Sequence, residues 1–277
     1  MRERIDIRGF TLVELAITLV IIGLLIGGVL AGQRLKMQSE LVATIADVRA
    51  YSAATATFLD RYSALPGDLK DANDRIPGCG QGQLDCESGA ADASVGDGDI
   101  GILGAIAAAQ VSGGPGAARE TVLFWSHLLL ADLISGVTSA GAASTAPDPA
   151  WGETHPTAPV GGGFHIKDAN GSGPASLPGW PPLAEKPSGT FLLLQAAVDR
   201  DLVLVGAGEQ VLSPLKAAFI DRKVDDGDPY DGAVVGYGTV GGLNSSEGCF
   251  GWTGVDQGRY HESSNGLDCG LAFQIAP

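Results

Sequence analysis

Hydrophobic and polar positions change their pattern twice along this chain. From Leu15 to Gly32 eighteen consecutive residues carry no charge. With Phe10–Val13 in front, the run reaches the roughly 20 apolar residues that a helix needs to cross a bilayer. Glu14 is the one ionisable residue inside it. Further on the pattern narrows to a stripe. Leu41, Ile45, Val48, Tyr51, Thr55, Phe58 and Tyr62 step by three or four, as on the buried face of an amphipathic helix. No Pro or Gly occurs between Gln33 and Tyr62, and Pro66-Gly67 is a strong stop. One helix is therefore predicted over Phe10–Tyr62, roughly 80 Å long at 1.5 Å per residue. Its first half is apolar all round and its second half has a single apolar face.

The rest of the chain alternates weaker signals with long loops. A second helix is predicted from Glu120 to Ser135, apolar at Leu123, Phe124, Trp125, Leu128, Leu129 and Leu133, and closed by Gly136. Residues 76–118 and 136–189 are rich in Gly, Ala, Asp, Pro and Ser and read as loop. Strands are predicted at Thr190–Val198, Leu202–Val205, Ala233–Tyr237 and Leu271–Ile275. Ser213-Pro214 reads as the N-cap and first turn of a short helix through Lys223. The fold class that follows is α+β, a long helix packed on a small antiparallel sheet.

Composition sharpens this division. Glycine accounts for 41 of 277 residues, about twice the usual share of roughly 7%. The formal charge is −15, and all of it is distal: residues 1–75 hold nine bases and nine acids, residues 76–277 eight bases and twenty-three acids. An acidic distal region repels phosphate backbones, which argues against a nucleic-acid partner there. The 45% apolar content excludes disorder throughout.

Three readings of the N-terminus compete. A secretory signal is favoured by Arg2, Arg4 and Arg8, but its apolar region would be too long and Glu14 badly placed. A plain membrane anchor leaves Glu14 unexplained, and the near balance of Arg2, Arg4 and Arg8 against Arg34 and Lys36 gives little orientation. The third reading uses the local sequence. Arg8-Gly9-Phe10-Thr11-Leu12-Val13-Glu14-Leu15 resembles the processing site of type IV prepilins and type II secretion pseudopilins. The phrase Tyr62-Ser63-Ala64-Leu65-Pro66-Gly67-Asp68 is also similar to one that recurs in large prepilin-like proteins.

The resemblance implies a leader, residues 1–9, cut after Gly9 by a prepilin peptidase on the cytoplasmic face, with N-methylation of the new terminus, Phe10. It implies that Glu14, the fifth mature residue, pairs with the Phe10 amine of a neighbouring subunit and so sets the stagger of a growing filament. A carboxylate at membrane depth costs on the order of 2.5–3.5 kcal/mol, so such a partner has a physical reason. The implied organisation is a helix over 10–62, spanning the bacterial inner membrane once over about 10–32, with residues 63–277 as a periplasmic or cell-surface head. Implied partners are other pilin or pseudopilin subunits and the inner-membrane assembly platform. The large head leans toward a minor or specialised structural subunit, not an enzyme. The competing reading is a membrane-tethered monomer, an adhesin or cation-binding module, that never polymerises. Small-xxx-small spacing among Gly23, Gly27 and Gly28 permits close helix approach, and equally fits ordinary glycine tolerance in membrane helices.

Cys79, Cys86, Cys249 and Cys269 in an exported head favour two disulfides over zinc. Three pairings are open, and short loop closure favours Cys79–Cys86 with Cys249–Cys269. The densest polar feature lies between Asp221 and Gly232. Asp225, Asp226, Asp228 and Asp231 could present hard oxygen ligands to calcium, and the family resemblance adds to that reading. The alternative is a helix end followed by a solvated Asp-rich turn. Asp97 and Asp99 form a weaker candidate. Gly236–Gly241 matches G-x-G-x-x-G, but no helix is predicted after it. Ser213–Lys216 matches S-x-x-K and reads better as a helix cap. His127, His155, His165 and His261 show no metal-ligand cadence, and His127 suits a packed core.

Overall fold

The structure, a computed structural model, describes residues 11–69, 71–80, 86, 118–138, 150–168, 189–197, 210–241, 248–251 and 258–276. The chain forms two compact units, 1–40 and 41–277. Helix α1 is Leu12–Tyr62. It ends where Ser63 takes a left-handed conformation (φ 58°) and returns its N–H to the Leu59 carbonyl at 2.8 Å, a C-terminal cap that satisfies one of the last free carbonyls. Up to Glu40 the helix makes no core. From Leu41 it buries the expected stripe, to which Thr44 and Ala54 also belong.

After the short helix α2, Ala72–Arg75, come α3, Ala118–Leu130, and α4, Pro214–Val224. Helix α3 stops well before the predicted Gly136. Asp132 adopts a left-handed conformation (φ 59°), its N–H bonds to the Leu129 carbonyl at 3.0 Å, and Leu133 N–H bonds to the Leu128 carbonyl at 3.0 Å. This paired arrangement closes the helix end. An aspartate thus does what a glycine was expected to do. Ser213 stands at the N-cap of α4 with extended backbone, yet its side chain makes no capping hydrogen bond; Pro214 supplies the preset first turn.

Among the described residues the strands, in chain order, are β1 Gly163–Asp168 and β2 Thr190–Gln195, both before α4, then β3 Val234–Gly238, β4 Val240–Gly241, β5 Phe250–Gly251 and β6 Cys269–Ala276. An antiparallel sheet has the order β1-β2-β6-β3, and β4 pairs with β5 in parallel. Strand β1 lies in the stretch read as loop from sequence, because polar His165, Lys167 and Asp168 dilute its apolar alternation. The predicted strand Leu202–Val205 lies outside the described residues. Gly236–Gly241 occupies β3 and β4, strand structure that offers no helix N-terminus to a phosphate.

Register explains which sheet face meets α1. Phe164 pairs with Leu194, Ile166 with Leu192, and Leu271 and Phe273 continue the same rows into β6. These side chains share one core with the α1 stripe. Tyr51 joins the layers, its ring edge-on to Trp125 of α3 at 5.1 Å and to Phe164 of β1 at 5.4 Å. Tyr237 crosses β6 over Gly270, where any Cβ would strike its ring, and donates to the Leu194 carbonyl at 2.6 Å. The architecture is α+β, a long N-terminal helix packed through its distal part on a small antiparallel sheet, and it matches the pilin-like arrangement.

Candidate functional site

Helix α1 begins with a reciprocal cap. Glu14 Oε2 accepts the Thr11 backbone N–H at 2.9 Å and the Thr11 hydroxyl at 2.8 Å, and Thr11 Oγ1 accepts the Glu14 N–H at 3.3 Å. Thr-x-x-Glu is the sequence signature of this capping box, and it predicts the helix start without any structure. The carboxylate is therefore poised at the helix N-terminus, where the macrodipole favours negative charge. Gly9 and Phe10 lie outside the described residues.

Beyond the cap, apolar side chains project from every face. Leu12, Val20, Leu24 and Leu30 are exposed, as are the positions between them. A Cβ added at Gly23, Gly27, Gly28 or Gly32 would meet nothing within 4 Å, so these glycines mark open surface on which another helix or lipid can approach closely. Among the described residues α1 is the helix long and apolar enough to cross a membrane.

The disulfides in the head are Cys79–Cys86 and Cys249–Cys269. The first is tied to α3 by His127, whose Nδ1 accepts the Gly67 N–H at 2.9 Å while its Nε2 lies 2.9 Å from the Cys86 carbonyl. Since Nδ1 is an acceptor, Nε2 must carry the proton and donate to Cys86. Burial lowers the His127 pKa to about 4, against a smaller opposing effect of the Cys86 hydrogen bond. Its ring stacks on Phe58 of α1 at 5.9 Å.

The acidic turn is built differently from the sequence expectation. The carboxylates that converge are Asp221, Asp225 and Asp226, with ligand atoms within 4.8 Å of one another; Asp228 and Asp231 stand outside that group. Asp221 is buried, and its oxygens accept Gly227 N–H at 3.1 Å and the Tyr260 hydroxyl at 2.7 Å. Asp225 Oδ2 accepts the N–H groups of Ala233 and Val234, which fixes the entry to β3. Asp226 accepts Asp228 N–H at 2.8 Å, Asp228 accepts Tyr230 N–H at 3.0 Å, and Asp231 accepts Gly232 N–H at 2.7 Å. Gly232 is left-handed (φ 86°), and a Cβ there would collide with the Asp225 carboxylate. Each aspartate thus supports a turn of the backbone. Burial raises the Asp221 pKa to about 7; the Tyr260 and Gly227 hydrogen bonds oppose this, and the charges of Asp226 and Asp225 add to it. Asp221 and Asp225 sit one helical turn apart, the spacing that foretells their meeting. Asp97 and Asp99 lie outside the described residues.

Residues 6–30 match the family model described as the prokaryotic N-terminal methylation motif, the prepilin-type cleavage and methylation motif. No curated protein and no solved structure shows a significant match to the chain.

Proposed function

We propose that this chain, which carries the prepilin-type cleavage and methylation motif at residues 6–30, is a structural subunit of a type IV pilus or a type II secretion pseudopilus. The observation that carries the reading is a coincidence of two features on one segment: the motif ends inside the stretch of α1, up to Glu40, whose apolar side chains are exposed on all faces. A motif of this kind goes with a pilin-like precursor and a membrane-anchored helix. A prepilin peptidase removes residues 1–9, Phe10 becomes the methylated terminus, and the stretch over about 10–32 rests in the inner membrane until a filament takes it up. Residues 63–277 then form the periplasmic or surface-exposed head, whose size suits a minor or specialised position. Nothing in the role requires catalysis.

Glu14 has the central part. In the structure its carboxylate is satisfied by Thr11 of the same chain. The cationic amine created at Phe10 is a stronger partner for an ionised carboxylate than a neutral hydroxyl, because the attraction between two full charges adds to the hydrogen bond and grows where the local dielectric is low. An incoming subunit's amine can therefore take over an oxygen already held at the right depth. Intact-mass measurement on protein from the native host tests the reading. The mature chain should lack residues 1–9 and carry one added methyl group on Phe10. A terminus at Gly32, or an uncut Met1, would overturn it. Substituting Gly9 with a bulky residue should leave an inserted, unprocessed precursor.

A further inference from the structure

The sequence scatters its histidines, but the fold brings two of them face to face. His155, from the turn over residues 150–158, stacks on His165 of β1 with ring centroids 5.0 Å apart. Trp151 and Trp125 close the other sides of His155 at 6.1 and 6.4 Å. Its Nδ1 meets Thr154 Oγ1 at 2.9 Å, while its buried Nε2 has no hydrogen-bond partner among the described residues. The turn runs along the outer edge of β1. Thr157 bridges to Gly163, Phe164 N–H donates to the Pro156 carbonyl at 2.9 Å, and Ala158 N–H donates to the Gly162 carbonyl at 3.0 Å. Trp151 fits against Gly163, where a Cβ would strike its ring, and donates from Nε1 to the Ala196 carbonyl at 3.1 Å.

We propose that the stacked His155–His165 pair is an acid-released latch that holds residues 150–158 against the β1 edge of the sheet. The closed latch needs a neutral His155. Protonation makes both ring nitrogens donors, which leaves an N–H at Nε2 with no acceptor among the described residues and sets a buried cation directly against a second imidazole. Burial, and then the neighbouring His165, push the His155 pKa well below its ordinary value. Among the described residues no carboxylate compensates. Helix α3 presents the Trp125 indole, and its own histidine, His127, is turned to Phe58. Helix α1 lies behind Trp125 with Tyr51, whose neighbouring acid is Asp47. Strand β2 sets Leu193 opposite His165, and Glu153 of the turn itself is exposed. An open turn lets His155 protonate at its free value of about 6.5. The open fraction therefore grows roughly tenfold between pH 7.5 and pH 5.5. Opening frees the Gly163–Phe164 end of β1, an edge strand among the described residues and so a template for pairing with another strand.

Amide hydrogen exchange on the full chain in detergent micelles, corrected for intrinsic pH dependence, tests this at pH 7.5 and 5.5. The amides of Gly152, Ala158 and Phe164 should open roughly tenfold more often at the lower pH, while the β3–β6 ladder keeps its protection. The Gly67 amide, bonded to His127, reports the other buried histidine separately. His155→Phe keeps a ring in the stack and should abolish the pH step at 152, 158 and 164. Persistence of the step in that variant overturns the proposal. So does a wild-type map in which those amides do not change, change together with the whole sheet, or change only at Gly67, and this second test holds whether or not the variant folds.

Discussion

Up to Glu40, α1 leaves Leu12, Leu24 and Leu35 respectively 85%, 73% and 67% exposed, whereas Phe58, well into the distal part, is fully buried. The two stretches are comparably helical, so the contrast is not one of backbone. It lies in what the side chains are given to touch. The distal stripe finds Trp125, Phe164 and the sheet, and the chain accounts for it entirely. The proximal stretch has no such partners within its own unit, though exposing so much contiguous apolar surface to water is unfavourable at roughly 25 cal/mol per Å². In the proposed role its environment is lipid or copies of the same helix. One covalent helix thus carries two separable tasks, and substitutions can tell them apart.

Glu14→Ala should have the largest effect and leave the head untouched. Membrane insertion should continue or improve, since the cost of a charge at depth is gone. If Glu14 has the proposed role, ordered filament incorporation should be lost, because the Phe10 amine of the next subunit then has no carboxylate to meet. Cysteine crosslinking between subunits, read beside the melting temperature of the head, measures both. Wild-type crosslinking in the variant would favour the monomeric tether and break the contrast.

Phe58→Ala is the reciprocal experiment. It empties a fully buried site that touches Tyr62 at 4.4 Å and His127. The head should lose about 3–5 kcal/mol, seen as a lower denaturant midpoint, while insertion and processing at Gly9 stay normal. A defect in processing would mean that the two stretches are coupled.

How far this division was legible in the sequence depends on period. Eighteen uncharged residues and then a stripe at steps of three and four specify both parts of α1 directly. The capping role of Thr11 was equally readable from Thr-x-x-Glu. Strand β1 was not, because Gly161–Gly163 and the polar residues of Gly163–Asp168 look like the loop around them. Nor was the His155–His165 stack, which depends on a turn folding back over a strand edge. In the acidic turn the aspartates were visible but not their grouping. Asp221 joins Asp225 and Asp226 because α4 continues to Val224 and carries its carboxyl inward to Tyr260; Asp228 and Asp231 turn to nearby amides instead.

Two buried titratable groups in the head give pH effects of opposite sign. His127 stays neutral to about pH 4 when folded, but takes a proton near 6.5 when unfolded. Its contribution is complete above pH 6.5 and erodes as pH falls toward 4. Asp221 holds its proton to about pH 7 when folded and releases it near 3.8 when unfolded. Its contribution is complete below 3.8 and is lost as pH rises through 7. Asp221→Asn should therefore flatten the loss of stability between pH 4 and 7.5, leaving the acid-side decline to the histidines. Denaturant midpoints across that range decide, and an unchanged profile would show that Asp221 is ionised in the folded head.

The smallest effect should come from calcium, and it asks whether the distal region, like the proximal one, depends on something outside the chain. An ion held by Asp221, Asp225 and Asp226 would relieve their mutual repulsion and stabilise only the folded state, by roughly 2.7 kcal/mol at a hundredfold excess over Kd. The hydrogen bonds argue for a turn that is complete already. Asp221 is engaged by Gly227 and Tyr260, Asp225 by Ala233 and Val234, and Asp226 by Asp228. Taking a cation would require these carboxylates to share oxygens that now order the entry to β3. Melting of the full chain in detergent should accordingly rise no further in calcium than in magnesium, or in sodium chloride at matched ionic strength, which measures the screening of the −15 net charge alone. Magnesium is the informative control, since it demands tighter octahedral geometry and sheds water reluctantly. A rise specific to calcium, abolished by Asp226→Asn, would make the turn a metal site and leave the head, like the apolar helix, incomplete without a partner.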